Sequence, residues 1–205
     1  YGGAARYLAK RFGCRVCCLN LSEKENERNR EKNKDQGVDH LIEVVDGSFE
    51  EIPYPDGEFD LVWSQDAILH SGDREAVIRE ASRVLKNDGE FVFTDPMQTD
   101  HCDCSKLQPI YDRIHLESMG SPGFYREACK KYGLKEKGFQ EHTQHMITHY
   151  GRIREETENM EDELLKSVSP EYINNMKVGL QNWVNGGKSG NLVWGIFVFK
   201  KQINA

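Results

Sequence analysis

Phe59-Asp-Leu-Val-Trp-Ser-Gln-Asp-Ala-Ile-Leu-His70 decides how this chain is read. Phe59, Leu61 and Val62 form a short apolar run with β-branched and aromatic content, the pattern of a strand. The stretch then turns polar, with Gln65, Asp66 and His70 at the point where a strand hands over to a loop. In open α/β sheets that mouth is where ligands sit. A carboxylate and an imidazole so close can bind a cation, accept a proton or orient one another. An equally simple reading makes Asp66 a cap for the next segment and His70 a surface histidine. The flanking sequence shifts the balance.

Upstream, Tyr1-Gly-Gly-Ala-Ala-Arg-Tyr-Leu-Ala-Lys-Arg-Phe12 runs two glycines straight into a helical pattern with Ala4, Ala5, Leu8, Ala9 and Phe12 on one face. Glycines there let a ligand approach the backbone and the helix N-terminus. A strand is expected before such a turn, so a first strand is expected to be missing from the sequence. Cys14–Leu19 reads as the next strand and ends at Asn20, where nucleotide folds hold ribose hydroxyls, usually with Asp or Glu. Ser22-Glu-Lys-Glu25 has capping-box spacing and opens a very polar helix to about Gln36, its charges expected on a solvated face. Leu41–Val45 is a further strand, closed by Asp46-Gly47-Ser48. Asp46 there could accept from an exocyclic amine, or the three residues could form an ordinary Asp-Gly turn.

Downstream, Asp73 can cap a helix bearing Val77, Ile78, Ala81, Val84 and Leu85 on one face. Asn87-Asp-Gly89 is expected to turn the chain into the strand Glu90–Thr94, which delivers Asp95, Pro96 and Met97 to the ligand-bearing edge. Ser121-Pro122 starts a helix to about Tyr132, and Leu134 to Thr143 reads as a strand. A helical pair follows, with Gly186-Gly187 expected to end its second member, before the last strand Asn191–Phe199. Strand–helix alternation predicts a mainly parallel sheet covered on both faces.

The chain has 205 residues, enough for one domain with a sizeable core. A net charge of -7 argues against a general polyanion binder, so no nucleic-acid partner is expected. No apolar run approaches the roughly 20 residues that span a bilayer, and no secretory leader is seen, so a cytoplasmic protein with no membrane association is expected. The six cysteines are expected to be free thiols. Cys14-x-x-Cys17 has no matching pair at zinc-site spacing, and His101-Cys-Asp-Cys104 needs a further ligand, so no metal is expected.

With these residues in view, the chain resembles the class I S-adenosylmethionine-dependent methyltransferases over nearly its whole length, and within them the sarcosine/dimethylglycine N-methyltransferase family. The segments that carry the likeness are Tyr1–Ala9, Leu19–Glu23, Val44–Glu50, Trp63–Asp73, Phe93–Met97, Met119–Tyr125 and Thr148–Arg152. The resemblance implies a Rossmann-like α/β fold of strand order 3-2-1-4-5-7-6 with the last strand antiparallel. It implies one methyltransferase domain over residues 1–205, with residues 149–190 as a helical cap insertion. It implies S-adenosyl-L-methionine as cofactor, with Gly2 and Gly3 against its methionine part, Asn20 on the ribose, Leu21 on the adenine, Asp46, Gly47 and Ser48 at the adenine edge and Gln65 at the methionine end. By likeness to phosphobase methyltransferases, Asp66 would hold the substrate amine and His70 would serve as catalytic partner; no tyrosine matches the one those enzymes pair with it.

The activity so implied is N-methylation of sarcosine and dimethylglycine toward glycine betaine. Such an acceptor carries a carboxylate, which suits an arginine. Arg152 beside Tyr150 is the candidate, with Pro96 and Met97 shaping the pocket. A phosphoethanolamine-type methyltransferase, a nicotinamide-dependent dehydrogenase and a non-catalytic module are the competing readings. The oligomeric state stays open, a homodimer being allowed.

Overall fold

The computed structural model describes residues 1–202. Helix α1 (Gly3–Phe12) starts after Gly2 and stops at Gly13, both glycines in the left-handed region that a side chain disfavours. Strand β1 (Val16–Asn20) leads to α2 (Glu23–Asp35) and back to β2 (Ile42–Asp46), which lies parallel to β1. Strand β3 (Phe59–Gln65), a single 3₁₀ turn at Ile68–His70 and α3 (Arg74–Val84) follow, with the Asp73 carboxylate accepting from Ala76 N at 2.9 Å as its cap. Strand β4 (Leu85–Gln98), α4 (Gln108–Ile114), α5 (Pro122–Lys131) and β5 (Leu134–Glu141) come next. Helices α6 (Thr143–Asn159), α7 (Glu161–Leu164) and α8 (Pro170–Lys188) precede the last strand, β6 (Leu192–Lys201).

The strands form a pair, β1-β2, and a group of four in the order β3-β4-β6-β5. β3 and β4 are parallel, while β6 runs antiparallel to both its neighbours. This is the expected spatial order from the second strand onward. β1 and β3 do not pair; they line opposite walls of a cleft of about 1380 Å³.

Two apolar clusters fix the four-stranded sheet. Phe91, Phe93, Phe197 and Phe199 project from β4 and β6 against Ile78 of α3 and Tyr125 of α5. Leu69, Ile110, Met146, Trp183 and Leu192 bind α4, α6 and α8 to the same sheet. The second cluster makes the helical pair part of the core, at about 25 cal/mol per Å² of apolar surface removed from water.

Several local expectations are corrected. β4 begins at Leu85 rather than Glu90, and Asn87-Asp88-Gly89 is absorbed as an irregularity where the pairing jumps from Phe59–Leu85 to Leu61–Glu90. Asp88 takes φ 64°, and a Cβ on Gly89 would lie 2.9 Å from the Lys86 carbonyl. α6 begins at Thr143, so His149 and Tyr150 sit mid-helix rather than opening the helical pair. Gly186 and Gly187 do not end α8; Cβ atoms there would come within 2.6 Å of Leu192 and Ile147, so these glycines serve close packing. The polar α2 is not wholly solvated: Asn26, Asn29 and Asn33, at helical spacing, are buried. Cys102 and Cys104 are paired as a disulfide, Cα atoms 5.3 Å apart, where free thiols were expected.

Candidate active site

The sheet edge carries two adjoining spaces. The smaller is a cavity of about 280 Å³ between the end of β3 and the helical pair, lined by Asp66, His70, Pro96, Arg113, Tyr150 and Trp183 among others. Asp66 follows directly from β3, and its N–H donates to the Thr94 carbonyl at 2.9 Å, one last rung beyond the Gln65–Thr94 pair. Its φ of 49° lies in the left-handed region, which Asp tolerates better than most side chains. That turn aims the carboxylate across β4 toward β6. Oδ1 accepts from Thr94 Oγ1 and from Trp194 Nε1, both at 2.8 Å. Oδ2 has no hydrogen-bond partner among the described residues. One oxygen is thus fixed and the other is available.

His70 closes the 3₁₀ turn, whose backbone is clamped at Leu69. Leu69 N–H donates to Asp95 Oδ1 at 3.2 Å, and the Leu69 carbonyl accepts from Arg74 Nη2 at 3.0 Å. Asp95 is wholly buried, and its second oxygen accepts from Tyr125 Oη at 2.6 Å. Burial pushes the Asp95 carboxyl up to about 7, against the pull of the Tyr125 and Leu69 hydrogen bonds, and the Asp66 charge adds to the rise.

The cavity's opposite wall is aromatic. Tyr150 stacks on Trp183 with centroids 4.9 Å apart and planes 15° from parallel. Burial, and then the nearby Asp66 carboxylate, raise the Tyr150 phenol, which keeps it a neutral O–H donor. Pro96 lines the cavity, whereas Met97 is fully buried in the phenylalanine core. Arg152, on α6, is exposed and lies outside the lining. Arg113 of α4 supplies the cavity's guanidinium instead. The residues between Met97 and Ser121 carry no apolar period that marks Arg113, although Pro109 at the start of α4 is a helix-start signal.

The larger space is the β1–β3 cleft, lined by Gly2, Gly3, Asn20, Leu21, Gly47 and Gln65 with parts of both strands. Gly2, at φ 66°, precedes α1 without a side-chain cap, so the first amides of the helix are not met by a side chain among the described residues. A Cβ on Gly3 would meet open space. Leu21 is 69% exposed at the rim, an unpartnered apolar face. Asn20 donates through Nδ2 to Glu25 Oε2 at 2.9 Å, which puts a carboxylate beside it. Asp46 is engaged by α2: Asn26 Nδ2 reaches Oδ1 at 2.7 Å and Arg30 Nη2 reaches Oδ2 at 2.8 Å. Those bonds hold the Asp46 carboxyl below the usual range, and Asp46 and Ser48 are not among the cleft's lining residues. Ser48 Oγ accepts from Glu50 N–H at 3.1 Å and shapes the turn. An elongated molecule with an apolar ring, hydroxyls and a charged tail fits this lining: an exposed leucine, a paired Asn and Glu, and free amides at a helix start.

A mainly parallel sheet with its last strand in sequence inserted antiparallel, a cleft at its strand ends and a carboxylate–imidazole cavity beneath helices define a class I S-adenosylmethionine-dependent methyltransferase. Residues 1–93 match the family model described as a methyltransferase domain. Over 201 residues the chain is 62% identical to the sarcosine/dimethylglycine N-methyltransferase of Halorhodospira halochloris, covering 98% of this chain and 72% of that protein. It is 52% identical to the enzyme of the same name from Aphanothece halophytica, covering 98% and 73%. The crystal structure of a protein assigned as a sarcosine dimethylglycine methyltransferase from Galdieria sulphuraria superposes with a TM-score of 0.94 at 44% identity, covering 98% of this chain and 75% of that one. The chain belongs to the sarcosine/dimethylglycine N-methyltransferase family.

Proposed function

We propose that the protein methylates the nitrogen of sarcosine and of dimethylglycine, toward glycine betaine, with S-adenosylmethionine bound at the strand-end mouth of the β1–β3 cleft, beside Gly2, Asn20 and Gln65. The observation that carries this reading is the Asp66 carboxylate: one oxygen is held by Thr94 and Trp194, and the other is free in a small cavity walled by stacked aromatics. When bound, the cofactor supplies the methyl group of a sulfonium.

The protein's part is orientation and charge. Gly2, Gly3, Asn20 with Glu25, Leu21, Gly47 and Gln65 hold the cofactor, and the Asp46–Ser48 turn shapes the far end of its site. Asp66 Oδ2 holds the acceptor amine at the sheet edge. His70 receives the ammonium proton, because only the neutral amine has a lone pair with which to attack. As positive charge builds on nitrogen, Asp66 and the faces of Tyr150 and Trp183 stabilise it. The helices from α6 to α8, which take in all but the last two of residues 149–190, act as the lid that keeps water from the cavity. The facing unpaired edges of β1 and β3, with Leu61 and Trp63 about half exposed, are of the kind that one more parallel strand would cover. The reading places the protein in the cytoplasm; no helix among the described residues is long and apolar enough to cross a membrane.

The deciding experiment is methyl transfer from labelled S-adenosylmethionine to glycine, sarcosine and dimethylglycine. Turnover of the last two supports the reading. Turnover of none of the three, with a phosphobase or another amine methylated instead, overturns it.

A further inference from the structure

Ten residues line the small cavity, and only Asp66 and Arg113 among them carry a fixed charge. The two come from different parts of the fold, the end of β3 and the last turn of α4, and their signs are opposite. A zwitterionic amino acid presents the complementary pair, an ammonium or amine at one end and a carboxylate at the other. Arg113 is solvent-exposed, as Arg152 is, but it lines the cavity and is held in place. Nη1 donates to the Asn175 carbonyl of α8 at 2.9 Å, while Nε and Nη2 have no hydrogen-bond partner and no acidic side chain pairs with the group, all among the described residues. Its neighbour Asp112 accepts from Gln108, 2.7 Å away, and so does not neutralise it. α8 makes room for it: a Cβ on buried Gly179 would lie 2.5 Å from Arg113 Cδ and 2.8 Å from Cζ.

We propose that Arg113, braced by the Asn175 carbonyl and passed by Gly179, binds the carboxylate of the amino-acid acceptor and so selects carboxylated amines. The proposal rests on the acceptor reading above and adds the group that recognises the acceptor's acidic end. Nε and Nη2 lie on one edge of the guanidinium and suit a two-point contact with a carboxylate, which an ammonium in the same place would not reproduce. The brace falls on Nη1, the one nitrogen such a contact leaves over. Arg152 does not fill this role, because it stands outside the cavity.

The test is steady-state methylation of dimethylglycine and of dimethylethanolamine, which has a hydroxyl in place of the carboxylate, by the parent, Arg113→Gln and Gly179→Ala. The expected result for Arg113→Gln is a rise of at least tenfold in KM for dimethylglycine, a much smaller change for dimethylethanolamine, and unchanged affinity for S-adenosylhomocysteine. Gly179→Ala adds a good helix former to α8, and the three atoms nearest its new Cβ all belong to the flexible Arg113 side chain, so it is expected to fold normally and move KM the same way. Calorimetric binding of dimethylglycine to the S-adenosylhomocysteine complex reads the anchor without turnover. A parent that binds dimethylglycine but does not methylate it overturns the function and leaves the anchor supported if Arg113→Gln loses that binding. Folded Arg113→Gln with parental KM and binding for dimethylglycine, or with equal losses on both acceptors, overturns the anchor.

Discussion

Trp194 and Asp66, 128 residues apart in sequence, meet through the indole Nε1 and carboxylate Oδ1 at 2.8 Å. The contact crosses β4, because Trp194 of β6 pairs with Pro96, two residues beyond Thr94, whose hydroxyl joins the same oxygen. A hydrogen bond to a charged group is worth about 1.5–3 kcal/mol. Trp194→Phe keeps an aromatic side chain but removes one of the two hydrogen bonds on Oδ1, so the Asp66 carboxylate is held by Thr94 alone. The expected outcome is a roughly ten- to hundredfold lower kcat/KM for dimethylglycine, with cofactor affinity intact by calorimetry. Asp66→Asn is expected to fold, since Asn also tolerates the left-handed region, and to lose at least as much. Parental kinetics in both variants would remove Asp66 from the reaction.

His70 is expected to matter most where free amine is scarce. General base catalysis is typically worth ~10²–10⁴-fold. His70→Ala should therefore lower turnover by about that factor near neutral pH, with the loss shrinking at alkaline pH, where the acceptor amine gives up its proton to solvent unaided. A loss below about tenfold and flat across pH would leave His70 a cavity wall only. Far-ultraviolet dichroism of the variant guards against a folding artefact.

The α1–α2 contact makes a prediction about stability. Arg6 is 7% exposed, and its Nη1 donates to both Asn29 and Asn33 at 3.0 Å. Removing it strands two buried amide oxygens, at a cost of about 2–3 kcal/mol. Arg6→Ala should lower Tm by roughly 5–10 °C, taking the usual few degrees per kcal/mol for a chain of this size. The parent's Tm in a folded Arg6→Ala would show that water replaces the guanidinium.

The sheet was legible because its strands are apolar and punctuated: Phe59–Val62 and Phe91–Phe93 read as strands, and the capping Ser22, Asp73 and Ser121 all accept from the third residue on. Asp66, His70, Pro96 and Tyr150 were legible as cavity residues because strand ends and the helices after β5 converge at one edge. What failed was tertiary. The pairing of Asn26, Asn29 and Asn33 with Arg6 and the sheet carries no apolar period, so a buried face looked like a solvated one. Arg152 and Arg113 are indistinguishable as residue types. Only the packing of α4 on α8, fixed by the cluster around Ile110 and Trp183, brings one of them to the cavity.

Asp95 links the site to pH. It is wholly buried, bonded to Tyr125 Oη and Leu69 N–H, and faces the charges of Asp66 and Arg74. Its carboxyl titrates near 3.8 when solvated and is pushed up to about 7 in the folded protein. Between those values the folded state holds more protons than the unfolded one, so stability falls as pH rises. Below about 4 both states are protonated and there is no penalty; above about 7 the penalty is complete. The magnitude is on the order of a few kcal/mol, since one unit is about 1.4 kcal/mol. Asp95→Asn keeps an oxygen for Leu69 N–H and an amide that Tyr125 Oη can accept from, but cannot ionise. Urea unfolding of parent and variant at several pH values from 5 to 8 should therefore show the parent losing stability relative to the variant as pH rises. Parallel curves would mean that Asp95 stays ionised throughout, and the clamp on Leu69 would then not report pH to His70.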